Sequence, residues 1–227
     1  MINRISENVL QAKFNIEKAL SGTGRAIDDI TIIGVTKTVD IDIAEMLLDC
    51  GINNFGENRV QEFIRKYDAI GDKAVWHLIG HLQKNKIKYI VGKTKLIHSV
   101  DSIELLEEIS KHSIKESINT NVLVQVNVSG EESKFGIKKE YLKEFCEKGR
   151  KLPNISINGI MTMAPFTEDK DYIKRVMDDA NKVFLDIQGE NGDNMNIKYL
   201  SMGMSNDYEI ALQSGANILR IGTALFR

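Results

Sequence analysis

The sequence predicts an α/β protein built as a (β/α)8 barrel, with one extra helix at its N-terminus. Short β-branched, apolar runs alternate with segments of helical periodicity, the pattern of βα units on a parallel sheet. Eight such units fill about 200 residues, the usual size of such a barrel. No proline-rich, glycine-rich or charge-blocked linker interrupts them, so residues 1–227 are expected to form one domain. Alternation alone does not reveal closure. An open doubly wound sheet is the competing architecture, and the count of eight favours the barrel.

The first element is an amphipathic helix. Ile5, Val9, Ala12, Ile16, Ala19 and Leu20 recur at helical spacing, and Ser21-Gly22-Thr23-Gly24 ends the segment. Those glycines imitate part of a dinucleotide-binding loop, but they follow a helix and precede a strand, the reverse of what that loop needs. Strands are then expected to begin near Ile30, Asn53, Ala74, Lys95, Asn121, Ile155, Ile197 and Asn217. Helical patterns occupy Ile41–Cys50, Arg59–Ile70, Asn85–Ile90, Ile103–Ile114, Lys139–Arg150, Tyr172–Ile187 and Tyr208–Ser214. The longest loops are expected at Glu131–Lys138 and Gly189–Asn196.

Composition narrows the functional class. With 42% hydrophobic residues the chain can bury a sizeable core without staples. Its 30 basic and 32 acidic residues leave a net charge of −2, which is no footprint for nucleic acid or an anionic membrane. Cys50 and Cys146 are too few and too far apart for a disulfide framework or a zinc cluster, and fit two reduced thiols. The N-terminus is polar and lacks the apolar core of a signal peptide. No apolar run approaches the roughly 20 residues of a membrane span. A cytoplasmic protein is expected.

Chemistry is expected where the strands end. Ile30-Thr31-Ile32-Ile33-Gly34-Val35 reads as a buried strand and leads at once into Lys37. A lysine there lies where α/β barrels place their ligands, and a desolvated or cation-flanked amine is nucleophilic enough for a Schiff base. A lysine snorkelling at a strand end is the plainer reading. Other strand ends carry Gly56-Glu57-Asn58, Gly80-His81, Met161-Thr162-Met163, Met204-Ser205-Asn206-Asp207 and Arg220-Ile221-Gly222-Thr223.

Ser205-Asn206-Asp207 can cap a helix beginning near Tyr208, and Gly222-Thr223 lets backbone approach closely beside a hydroxyl. Barrels often bind phosphate with the loops after their last two strands. Asp207 would repel a phosphate and is assigned to capping. Arg220 interrupts an apolar strand, so it must face the mouth and find a partner. A lysine, a phosphate nest and a polar residue at a pyridine nitrogen are together what pyridoxal phosphate requires. An arginine at that nitrogen leaves it unprotonated and weakens the electron sink.

Other candidates carry less. His77 and His81 lack a metal-binding pattern, and His77 reads as core or cap. His98 and His112 have no sequence partners. Lys84-Asn85-Lys86-Ile87-Lys88 reads as a solvated helix face. Lys134 follows the fifth strand and could reach the mouth, but reads as a solvated loop lysine.

The motifs Val35-Thr36-Lys37-Thr38, Phe55-Gly56-Glu57-Asn58-Arg59-Val60-Gln61-Glu62 and Trp76-His77-Leu78-Ile79-Gly80-His81-Leu82-Gln83-Lys84-Asn85-Lys86 are joined by three more. These are Gly159-Ile160-Met161-Thr162-Met163-Ala164-Pro165, Leu200-Ser201-Met202-Gly203-Met204-Ser205 and Leu219-Arg220-Ile221-Gly222-Thr223-Ala224-Leu225-Phe226. In this order the set resembles the pyridoxal phosphate homeostasis proteins, single-domain proteins that share a barrel with the N-terminal domain of alanine racemase. The resemblance runs from residue 35 to the end. One departure is the stop at Phe226-Arg227, where many relatives continue with a glycine and a short tail.

The resemblance implies that pyridoxal 5'-phosphate (PLP) is bound as an internal aldimine on Lys37. It implies that Ser205, Gly222 and Thr223 hold the phosphate and that Arg220 faces the pyridine nitrogen. Asn58 and Met204 would line the cofactor, with Met161 a further candidate. It implies a vitamin B6 carrier that buffers or delivers PLP, without an established reaction and with apo PLP enzymes as partners. A racemase of this barrel type carries a second domain that closes the site, and the chain is expected to lack one. A monomer is expected. An amino-acid racemase with its second base in a loop is the alternative, and a Schiff-base aldolase fits the phosphate-plus-arginine set poorly.

Overall fold

A buried ion pair ties the carboxyl ends of the first two strands together, and the barrel can be built outward from it. The computed structural model describes residues 1–131, 134–190, 192 and 194–227. Strands β1 (Thr31–Val35), β2 (Asn54–Glu57), β3 (Val75–Leu78), β4 (Leu96–Val100), β5 (Thr120–Asn127), β6 (Ile137–Lys138), β7 (Ile155–Met161), β8 (Met195–Ser201) and β9 (Ile218–Ile221) form one system. All but β6 make a closed parallel ring in chain order, sealed where β9 pairs with β1 and places Arg220 beside Ile33. The two-residue β6 pairs with β5 outside that ring. Closure is therefore real, and the open-sheet alternative is excluded.

A closed parallel sheet has two faces and both are covered. Outside, α2 (Ile41–Asp49), α3 (Val60–Ile70), α4 (Ile103–Lys115), α5 (Leu142–Gly149), α6 (Lys170–Gln188) and α7 (Tyr208–Gln213) pack over the strands. Asp40, Ser102 and Asp169 cap α2, α4 and α6 by accepting backbone N–H groups. Phe55, Phe63 and Trp76 anchor this outer layer, the Phe55 and Trp76 rings meeting edge to face at 5.5 Å. Inside, Ile33, Leu96, Leu123, Met161 and Ile218 come from β1, β4, β5, β7 and β9 and form a separate buried cluster. Residues from strands so far apart around the ring can meet only at its axis.

The last helix, α8 (Thr223–Phe226), is four residues long and cannot cover the seam between β9 and β1 by itself. The N-terminal helix α1 (Ile2–Leu20) packs against both α7 and α8, burying the stripe Ile5, Val9, Ala12, Ile16, Ala19 and Leu20. Asn8 Nδ2 donates to the carbonyls of Leu225 and Arg227, and Arg25 donates to those of Ala216 and Leu212.

Two expected helices differ. The third unit has a 3₁₀ segment, Lys84–Tyr89, in place of an α-helix over Asn85–Ile90. The buried anchors Ile87 and Ile90 are three apart, which suits three residues per turn. In the expected helix Lys139–Arg150, residues Lys139–Tyr141 are likewise 3₁₀ before α5 starts. The expected loop Glu131–Lys138 contains β6, and Gly189–Asn196 already includes the start of β8. Residues 132 and 133 of the first loop, and 191 and 193 of the second, lie outside the described residues.

The ion pair joins Glu57, at the end of β2, to Lys66 on α3 at 2.6 Å, with both side chains fully buried. Lys66 Nζ also donates to the Thr36 carbonyl at 2.5 Å, and Thr36 Oγ1 donates to the same Glu57 Oε1 at 2.5 Å. The residue before Lys37 is thus held by its backbone and its side chain at once. Breaking such a pair leaves a buried charge without compensation. Lys66→Met should destabilise the fold by about 3–5 kcal/mol, read by chemical denaturation, while the double change Glu57→Gln, Lys66→Met should cost markedly less.

Candidate functional site

Parallel strands all end on one face, so the turns after β1, β2, β3, β7, β8 and β9 converge there. Lys37 stands exposed in the turn just after β1. The turn at Gly222 packs onto the end of β1. A Cβ placed on Gly222 would lie 3.4 Å from Val35 Cβ, two residues from Lys37. Ser205, half-buried after β8, reaches the same turn. Its Oγ accepts the N–H groups of Gly222 and Ala224 at 3.2 and 3.1 Å. Lys37, Ser205, Gly222 and Thr223 therefore share one corner of the mouth.

Met204 is half-buried beside this corner, with its N–H on Asp207 Oδ1 at 2.5 Å. Asp207 is the residue before α7 but makes no side-chain cap to that helix. Its carboxylate turns back to Met204 instead, which corrects the capping role expected for it. Burial pushes the Asp207 carboxyl up, opposed by the Met204 N–H and the positive field of Arg220. Asn58 lies in the turn after β2, where its carbonyl would sit 2.3 Å from a Cβ on Gly80, so that position admits only glycine. Met161, the further candidate, lies in the interior cluster. Lys134 is half-buried beyond β5, and the Asn127 side chain holds its carbonyl.

Arg220 is the polar centre of the interior. Its side chain is buried, Nη1 donates to Ser201 Oγ at 2.7 Å, and Nη2 donates to the Thr162 carbonyl at 2.8 Å. Burial lowers its pKa to about 10, against the pull of Asp207, so the guanidinium remains charged at neutral pH. Ser201 continues to His98 Nδ1 at 3.0 Å, His98 Nε2 to His77 Nδ1 at 3.0 Å, and His77 Nε2 to Asn54 Oδ1 at 3.2 Å. His98, which has no partner legible in the sequence, is thus paired on both nitrogens. Burial holds His77 down to about 3, with Lys95 adding to the effect, and holds His98 well below its ordinary value with His77 and Arg220 adding. The signal for this chain was the two-residue alternation itself, which turns His77, His98, Ser201 and Arg220 inward. His112 also has a partner, Glu108, at 3.8 Å. His81 lies 3.4 Å from Asp101 and stacks on Phe135 at the rim.

The barrel with this mouth is that of the alanine racemase N-terminal domain, whose family model matches residues 15–227. An alanine racemase of Clostridium difficile has the same fold at a TM-score of 0.75, with 20% identity over 97% of this chain and 56% of its own. Closer likenesses narrow the class. The chain is 42% identical to a pyridoxal phosphate homeostasis protein of Aquifex aeolicus, over 93% of this chain and 92% of that one. It is 33% identical to that of Escherichia coli, over 99% and 97%. The structure of PipY from Synechococcus elongatus, solved with PLP bound, superimposes with a TM-score of 0.82 at 28% identity, covering 93% of this chain and all of PipY. The chain belongs to the pyridoxal phosphate homeostasis protein family.

The two neutral histidines make stability depend on pH. Unfolded, each binds a proton near its ordinary value of 6.5; folded, His77 does so only near 3 and His98 also well below 6.5. In that window the unfolded chain holds more protons, so stability is full above it and falls as the pH falls. From about pH 7 to about pH 5 His77 should remove about 2 kcal/mol, and His98 should act in the same direction. Urea denaturation at the two pH values checks this, and His98→Gln should flatten the dependence.

Proposed function

We propose that this protein binds PLP in the carboxyl mouth of the barrel and works as an intracellular buffer or donor of that cofactor rather than as an enzyme. The observation that carries the reading is Arg220, a charged guanidinium buried at the barrel axis beside the strand that leads into Lys37. Within the described residues, the hydrogen bonds of its fork run from Nη1 and Nη2 alone. The other residues fit the same ligand. Lys37 offers an exposed amine for the aldehyde. Ser205 Oγ, which accepts from the amides of Gly222 and Ala224, keeps its own hydrogen to donate to a phosphate at that corner. The homeostasis proteins named above and PLP-bound PipY support the choice of ligand.

PLP itself supplies an aldehyde and an electron-withdrawing ring. Arg220 can only donate a hydrogen bond, so it orients the ring nitrogen without giving it a proton. That leaves the ring a weak electron sink and disfavours proton removal from a bound amino acid. Lys37 would hold the aldehyde, Ser205, Gly222 and Thr223 would hold the phosphate, and Asn58 and Met204 would bound the ring. Apo PLP enzymes are the recipients.

The loaded protein should be yellow. Borohydride should fix the ligand to the peptide containing Lys37, and Lys37→Ala should lose the colour; label on Lys134 with none on Lys37 would move the site. Removing the hydroxyls of Ser205 and Thr223 should cost about 1.5–3 kcal/mol per charged hydrogen bond. PLP should weaken far more than pyridoxal, and equal loss for both would place the phosphate elsewhere. With L-alanine in heavy water the loaded protein should change spectrum yet form negligible D-alanine, while an added apo PLP enzyme regains activity. Racemisation at ordinary turnover, of order 1–10³ per second, would refute the carrier reading, with His81 the first base to test.

A further inference from the structure

The cofactor reading assigns Arg220 to a ring nitrogen and leaves open what aims it. We infer that Ser201, His98 and His77 are positioning residues for Arg220, joined to it in a hydrogen-bond chain whose donors all point away from the guanidinium and which ends on Asn54. This inference rests on the reading above for the ligand that Arg220 meets, but the chain itself is a property of the protein without ligand.

The direction follows from the chemistry of each group. Arginine only donates, so Ser201 Oγ accepts from Nη1, and its single hydrogen is free for His98 Nδ1. That nitrogen is then the acceptor of its ring, and His98 Nε2 carries the proton toward His77 Nδ1. His77 Nδ1 accepts in turn, leaving His77 Nε2–H to donate to Asn54 Oδ1. One tautomer on each ring satisfies every contact with both imidazoles neutral. A proton added to either ring forces the chain to run backward. Ser201 would then accept from His98 and Arg220 together, with a second cation close to the guanidinium. The charged groups that act on these rings, Lys95 on His77 and Arg220 on His98, both oppose that proton.

The chain crosses the barrel instead of following one wall. It takes a residue each from β2, β3, β4, β8 and β9, and Arg220 Nη2 adds Thr162 just after β7. Rotating the guanidinium therefore breaks its bonds to Ser201 and Thr162 together and leaves Ser201 Oγ with the chain behind it unmatched. This distinguishes an aimed arginine from one that merely fills the axis.

Two measurements test it. In isotope-labelled protein without ligand, imidazole nitrogen spectra at neutral pH should show His77 and His98 both as the Nε2–H tautomer. An Nδ1–H tautomer on either ring overturns the chain, and this needs no variant to fold. In the loaded protein, Ser201→Ala should weaken PLP by about tenfold or more, the scale of one hydrogen bond to a charged group. It should leave an analogue with carbon in place of the ring nitrogen within about twofold, and Ser201→Thr should restore PLP binding. Equal losses for PLP and the analogue, or no loss for either, overturn the positioning role. Failure of the wild type to take up PLP on Lys37 would sink the cofactor reading alone, because the tautomers are read without ligand.

Discussion

A guanidinium at the axis of a closed barrel is the constraint around which this structure is arranged. Leaving such a charge unpaired in a low-dielectric interior would cost far more than the few kcal/mol by which domains are stable. The interior beside Arg220 accordingly gives up aliphatic layers for Ser201, His98, His77 and Asn54, while Ile33, Leu96, Leu123, Met161 and Ile218 fill the remainder. A barrel core usually earns its stability from branched apolar layers. Here part of that layer is replaced by a hydrogen-bonded set that starts from the guanidinium.

The same economy governs the rim. Thr36 is clamped by Glu57 and Lys66 from below, so the turn that carries Lys37 starts from a fixed point although the lysine itself is exposed. Across the mouth, Ser205 draws the Gly222 turn against β8 and the packing of Gly222 on Val35 returns it to β1. Rigid strand ends thus frame an accessible amine, an arrangement suited to a ligand that arrives and leaves.

The sequence made much of this legible because the signal was periodic. All eight barrel strands start within about two residues of their expected positions, since β-branched runs and the intervening helical stripes point the same way at every unit. What stayed hidden depended on partners distant in sequence. Ser201 and His98 lie 103 residues apart, and no local pattern joins them. Asp207 looked like a helix cap because its position is right, yet the free N–H of Met204 competed for the same carboxylate and won. The 3₁₀ segment at Lys84–Tyr89 escaped because two buried isoleucines cannot distinguish a three-residue turn from the start of a longer helix.

The seam covered by α1 gives the molecule a history as well as a shape. That helix is synthesised well before the α7 and α8 surfaces that bury its apolar stripe. At bacterial or eukaryotic synthesis rates of roughly 5–20 residues per second, the delay is on the order of ten to forty seconds. Through that interval α1 lacks its α7 and α8 partners and has only α2 and the Ile27–Asp29 segment to pack against. Contacts spanning nearly the whole chain also slow the search for the native state. Sealing of the barrel's seam therefore waits for an element made much earlier, and the delay is set by the stretch of chain between α1 and α7 rather than by any single weak contact.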